Sequence, residues 1–263
     1  MSDTHTTKKP RTATAGPPLY SELDLAQLTV DASLVGSSET RFATVKYKDE
    51  RMVFQMAGVS EAMRVPFGID DGSKFGSKAS MKLELSDGQL AFVRVIEDKV
   101  IGTAVTNKAE WFAGVKPVPS EADVRKAFSS RVSVDPEGRH KASLRVNVHL
   151  TDDAKKLKVS TTRRLGDGKI EAPKRSSVED VQWGDYGVPV LQTAGGVWIK
   201  KTKKLADNCF GLIFEASEVL VIKGAEEDGA ASFNLGGVEV AEPEPEPEAA
   251  PEGGEGGFGG QFY

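Results

Sequence analysis

Apolar and polar side chains alternate with period two along most of residues 40–223, in short runs broken by Gly and Asp. That pattern marks half-buried strands. Strands are predicted over 42–47, 52–56 and 81–85, the last with Met81, Leu83 and Leu85 on one face and Lys82 and Glu84 on the other. The Asp87-Gly88 pair then predicts a hairpin turn, followed by a strand over 90–95. The cleanest alternation sets Leu144, Val146, Val148 and Leu150 against Arg145, Asn147 and His149. Further strands are predicted over 156–160, 196–200, 209–214 and 219–222. Helical signals are fewer. Residues 96–105 fit either helix or strand. Ser120 caps a predicted helix over 120–128, with acids in its first turn and Val124 and Phe128 on a shared face. Many short strands and little helix predict a mainly β fold, a barrel or a sandwich.

Charge divides the chain. Of its 39 Asp and Glu, ten lie in 224–263, which holds no Lys or Arg. All 34 Lys and Arg and the other 29 acids lie in 1–223, a net of +5 against −10 for the tail. Glu242, Glu244, Glu246 and Glu248 alternate with proline or alanine, glycines follow, and the chain closes on Phe262 and Tyr263. So little apolar surface predicts a disordered acidic tail over 224–263. Residues 1–18, rich in Thr and Pro and carrying Lys8, Lys9 and Arg11, predict a disordered basic arm. One folded domain is expected over 19–223, long enough to bury a core without staples.

A single cysteine, Cys209, in the apolar run CFGLIF, excludes an intrachain disulfide framework and reads as a buried thiol. No apolar run reaches membrane-spanning length, and the first residues lack the apolar core of a secretion signal. An intracellular protein is expected. His5, His140 and His149 form no ligand motif, so no metal or other cofactor is expected. Gly166-Asp167-Gly168 is followed by neither Lys-Ser/Thr nor a helix and reads as a turn, not a phosphate loop. The acid pairs Asp70-Asp71, Asp152-Asp153 and Glu179-Asp180 sit in expected turns, and no nucleophile elbow occurs. Catalysis is not indicated.

Binding chemistry is indicated. Between Thr151 and Lys204 lie twelve basic residues against seven acids. Lys155, Lys156, Lys158, Arg163 and Arg164 are candidate phosphate contacts, with Lys200, Lys201, Lys203 and Lys204 as a second basic strip. Unpaired strands also need exposed aromatic faces. Trp183 and Tyr186 in QWGDYG, and Phe67 in RVPFGID, are the candidate stacking residues. Phe75 sits in a similar Lys-Phe-Gly context. Trp198 alternates with Val197 and Ile199 and fits a core position as well as a stacking one.

RVPFGID at 64–70, NKAEWFAG at 107–114, LRVNVHL at 144–150 and an acidic tail with an aromatic end form a combination. It resembles viral single-stranded DNA-binding proteins of the short-tailed phage type and their relatives in large eukaryotic DNA viruses. The resemblance implies an OB-fold-like barrel, here with insertions and one or two short helices. It implies a homodimer, and a tail that contacts replication enzymes such as a DNA polymerase or helicase. It places the protein at a viral replication site. The Glu-Pro repeats and the Phe-Tyr end depart from the lone terminal Phe common in such tails, which leaves the tail's partner open. The expected function is binding and protecting single-stranded DNA in replication or recombination. The tail, through Glu242, Glu244, Glu246, Glu248, Phe262 and Tyr263, competes with DNA and recruits partners. A histone-chaperone-like or virion structural β-protein, whose acidic tail binds basic proteins, is the alternative.

Overall fold

The computed structural model describes residues 16–36, 39–72, 79–151, 155–165, 169–193 and 195–223. The tail and the basic cluster of the arm lie outside them. The chain first forms strands β1 (Leu28–Val30), β2 (Thr40–Ala43), β3 (Val45–Tyr47), β4 (Glu50–Arg51), β5 (Val53–Gln55), β6 (Met63–Arg64), β7 (Ile69–Asp70) and β8 (Ser80–Glu84). Helices α1 (Asp87–Thr106), α2 (Lys108–Trp111) and α3 (Glu121–Ala127) follow. Then come β9 (Val132–Ser133), β10 (Ser143–Asn147), β11 (Lys158–Arg163), β12 (Lys174–Ser176), β13 (Tyr186–Gln192), β14 (Val197–Lys200), β15 (Phe210–Leu212) and β16 (Glu215–Lys223).

The mainly β class read from the sequence is the class observed. A large sheet runs β12-β11-β16-β10-β8-β7, with β9 added on β10 and β13 on β16; β13 in turn carries β5 and β6. Two small sheets, β1-β3-β4 and β15-β14-β2, complete it. Among the described residues the sheets do not close into a ring, as an OB-fold-like barrel with insertions allows.

β16 organises the large sheet. Its second half pairs in parallel with β11, from Lys158 opposite Glu218 to Arg163 opposite Lys223. On its other edge it pairs antiparallel with β13, from Tyr186 opposite Ile222 to Gln192 opposite Glu215. Both faces of Val219, Leu220 and Val221 are covered, which is why this strand reads as a continuous apolar run rather than an alternating one. Met81 and Leu83 on β8, Leu144 and Val146 on β10, and Phe54, Met56 and Phe214 join the main core.

The strand predicted over 90–95 is instead part of α1, a 20-residue helix longer than the short helices expected. The reason is local. Ser86 Oγ accepts from Gln89 N at 3.3 Å and Gln89 Oε1 accepts from Ser86 N at 2.8 Å. This capping box turns Asp87-Gly88 into a first helical turn instead of a hairpin. Phe92, Val93, Ile96, Val100 and Ala104 then fall on one buried helical face. Phe92 meets Phe54 edge-on at 5.3 Å and Tyr20 at 5.4 Å. α3 begins as expected, with Ser120 Oγ accepting from Asp123 N at 3.2 Å and Val124 buried. No helix among the described residues is long and apolar enough to cross a membrane.

Because one box decides helix over hairpin at residue 87, Ser86→Ala should cost about 1 kcal/mol of stability. A urea midpoint shifted down at unchanged slope is the expected readout.

Candidate nucleic-acid interface

Two loops interlock at one rim of the large sheet. β6 pairs with β13, Arg64 opposite Tyr186 and Met63 opposite Gly187. Beyond that pair Val65 N donates to Asp185 O at 2.7 Å, and Gly184 N donates to Val65 O at 2.9 Å. Asp185 Oδ2 accepts from Gln182 N at 2.8 Å, closing the second loop on itself. Gly68 sits at φ +64°, and a Cβ there would lie 3.0 Å from Val181 O. Only glycine lets the first loop lie this close against the second.

The interlock sets the three aromatic candidates on two adjoining loops, all in exposed positions. Phe67 is 66% exposed, Trp183 73% and Tyr186 52%. Contiguous exposed apolar surface, unlike a single exposed side chain, marks a place where a partner binds. Cations stand near Phe67 and Tyr186. Lys82 Nζ lies 5.3 Å from the Phe67 ring centre. Tyr186 lines a groove of about 410 Å³ together with Tyr20, Arg64, Glu84, Ser86 and Lys141. The same ring lines an adjoining hollow of about 280 Å³ with Ser60, Arg164 and Ile222. Two carboxylates are already engaged here: Glu84 pairs with Arg64 at 3.3 Å, and Asp185 lies 3.9 Å from Lys223. Lys223 also lies 3.9 Å from Asp180. Hydrogen bonds from the Ser176 hydroxyl and the Ser177 amide, with Lys223 behind them, hold the Asp180 carboxyl below its ordinary value.

The nine basic candidates do not form one patch. Lys155 and Lys156 lie in the turn before β11, Lys158 at its start and Arg163 at its end. The strand's rise separates those ends by about 16 Å. Lys158 is paired with Glu218 at 3.1 Å, and Arg164 Nη2 donates to Val59 O at 2.9 Å. Arg164 reaches a hollow shared with Tyr186. Lys200, Lys201, Lys203 and Lys204 belong to a different sheet, at the end of β14 and in the turn after it. Lys200 Nζ stands 5.5 Å over Trp198, which is half-buried with its Nε1 unpartnered. Trp111 is fully sealed, and its Nε1 donates to Ala32 O at 2.7 Å. Phe75 and the tail candidates Glu242, Glu244, Glu246, Glu248, Phe262 and Tyr263 lie outside the described residues.

Arg64, Lys82 and Lys141 at the rim, and Arg145 opposite Lys82, were not among the candidate contacts the sequence singled out. The signal for Lys82 and Arg145 was present, since each sits on the polar side of a clean alternation. What alternation lacks is strand register, and register decides which polar residues become neighbours. Among the described residues no group of three or more His, Cys, Asp and Glu could hold a metal ion.

No family model matches this chain, and no curated protein matches it. Among solved structures, it is similar to the single-stranded DNA-binding protein gp2.5 of bacteriophage T7, at 14% identity and a TM-score of 0.36, over 72% of this chain and 96% of that one. A C-terminal truncation of the single-stranded DNA-binding protein of bacteriophage Enc34 aligns over 74% of this chain and 97% of that one, at 14% identity and a TM-score of 0.34. The Enc34 protein in complex with single-stranded DNA aligns over 74% and 96%, at 12% identity and a TM-score of 0.33. Superpositions this loose assign neither function nor site.

Proposed function

We propose that this protein binds single-stranded DNA at the rim formed by Phe67, Trp183 and Tyr186. The observation that carries the reading is the exposure of these three rings on two interlocked loops, next to Lys82, Arg64, Lys141 and Arg164. Bases freed from a duplex offer π-faces that stack on such rings whatever the sequence, while cations hold the phosphates. A duplex hides those faces within its own stack, so the rim favours unpaired strands. Nothing in this chemistry requires bond making or breaking, and the role is protective and organisational, in replication or recombination at a viral replication site inside a host cell.

The acidic segment 224–263 extends the proposal. Its ten carboxylates imitate a phosphate chain against a body of net +5. It competes for the same cations when DNA is absent, and its freed Phe262-Tyr263 end recruits a polymerase or helicase. A homodimer would carry two such segments. The alternative, a histone-chaperone-like or virion protein acting through its tail, accounts for the glutamates but gives the exposed rim no task.

Titration with oligothymidylate tests the rim. Trp183→Ala and Phe67→Ala should each lose about 1–3 kcal/mol of affinity, the worth of one stacked base. Duplex binding should change little. DNA should quench the fluorescence contributed by Trp183 and leave that of sealed Trp111 unchanged. Full affinity in both alanine variants would overturn the reading. Deleting 239–263 should tighten single-strand binding at low salt, with the gain fading as salt screens the competition. An unchanged affinity across the salt series would remove the tail from the mechanism.

A further inference from the structure

The face of the β9-β10-β8-β7 region opposite to its core side carries a row of positive charge that runs across the strands. Antiparallel register sets Arg145 directly opposite Lys82. On the other side of β10, Leu144 is opposite Val132 and Arg145 N donates to Arg131 O at 3.0 Å, so Arg131 comes next in the same row. Directly opposed residues on an antiparallel pair share a face. Leu83, Leu144 and Val146 fill the other face of these strands in the core. The row is therefore Arg131, Arg145, Lys82, spaced at about 4.8 Å per strand. Beyond Lys82, on the β7 side, stands the Phe67 ring, and behind Phe67 the loop of Trp183.

Like charges set directly opposite one another destabilise a sheet. Burial, with Arg145 alongside, draws the Arg131 guanidinium below its ordinary value. Among the described residues none of the three cations is ion-paired. Arg145 Nε donates to Ser80 Oγ at 3.0 Å, a neutral partner. The carboxylates of the face flank the row instead of entering it. Glu84, opposite Ser143, is engaged by Arg64, and Asp70, opposite Ser80, accepts from Gly72 N at 2.9 Å. A neutral or acidic residue at any of the three positions would fold more easily. Their joint presence fits a ligand that carries regularly spaced negative charge.

We propose that Arg131, Arg145 and Lys82 are the phosphate track of this protein, along which a single strand crosses the sheet at a steep angle to the β-strands before its bases reach Phe67 and Trp183. The inference rests on the proposed single-strand function and adds the path, the contact set and a consequence. The empty protein is strained by its own cations, and DNA relieves that strain.

The probes are oligothymidylate and an abasic oligodeoxynucleotide of equal length, titrated over a salt series against the full chain. Lys82→Gln, Arg145→Gln and Arg131→Gln should each lower the slope of log K against log salt by about 0.7, and by the same amount for both probes. Phe67→Ala and Trp183→Ala should weaken oligothymidylate and leave the abasic strand unchanged. Arg125→Gln, which breaks only an exposed pair on α3, should alter neither slope. Arg131→Gln should also raise the melting temperature of the DNA-free protein by roughly 1–3 °C, an effect opposite to that of losing a structural residue. Wild-type salt slopes in all three glutamine variants, with stacking still lost in the alanine variants, would overturn the track and leave the function standing. A wild-type protein that binds neither probe would overturn both.

Discussion

The pairing of β16 on both edges is the constraint from which the rest follows. Its apolar centre, Val219 to Val221, is buried on both faces, so the strand has no solvated alternative. β11 is held parallel on one edge and β13 antiparallel on the other. β13 then has a free edge, which β5 and β6 occupy. That last pairing fixes Arg64 against Tyr186, and through Val65 and Gly184 it clamps the Phe67 loop to the Trp183 loop. A buried hydrophobic strand thereby sets the position of three rings that are themselves exposed. A site on loops gains precision only when those loops are tied to a rigid element, and here the tie is a ladder of backbone hydrogen bonds.

The sequence was most legible where burial acts on one face. The alternations in 81–85 and 144–150 became β8 and β10, and Ser120 capped α3. It misled at 86–95, where Asp87-Gly88 carries a strong hairpin signal and the competing evidence is a Ser86–Gln89 box plus a helical spacing of Phe92, Val93 and Ile96. Local turn chemistry lost to a cap that satisfies two backbone donors and to the burial of a whole helix face. The exposure of Trp183 and Tyr186 was readable from the turn residues around them, whereas Trp198 proved intermediate, its ring lying close beside Gly211. The basic residues show the opposite outcome. Their count between 151 and 204 is a fact of composition, but composition carries no register, and the structure sends Lys158 to a pair with Glu218 and Lys200 to another sheet.

That redistribution changes how the electrostatics work. A dense cluster would have attracted any polyanion by charge alone. Charge spread along a row and around a groove, next to rings of fixed position, ties attraction to shape. Under the proposed function, a ligand satisfies both by offering phosphates and unstacked aromatic faces together. The lysines at 200–204 stay outside this arrangement: among their contacts are Trp198, the backbones of Glu39 and Cys209, and their own turn.

The acidic segment follows β16 directly in the chain. Lys223 ends β16; its neighbour Ile222 is opposite Tyr186, and Lys223 itself lies near Asp185 of the Trp183 loop. Everything beyond Lys223 therefore starts at the rim itself. In the proposed competition, ten carboxylates joined at that point would act as an intramolecular rival for the rim's cations, at an effective concentration set by the connecting chain instead of by the solution. Weak individual attractions would then suffice to oppose a ligand, and a DNA strand would displace them by adding stacking, which glutamate lacks. On this view the aromatic rings decide the outcome of the competition: cations are shared by both rivals, and only one of the rivals has bases.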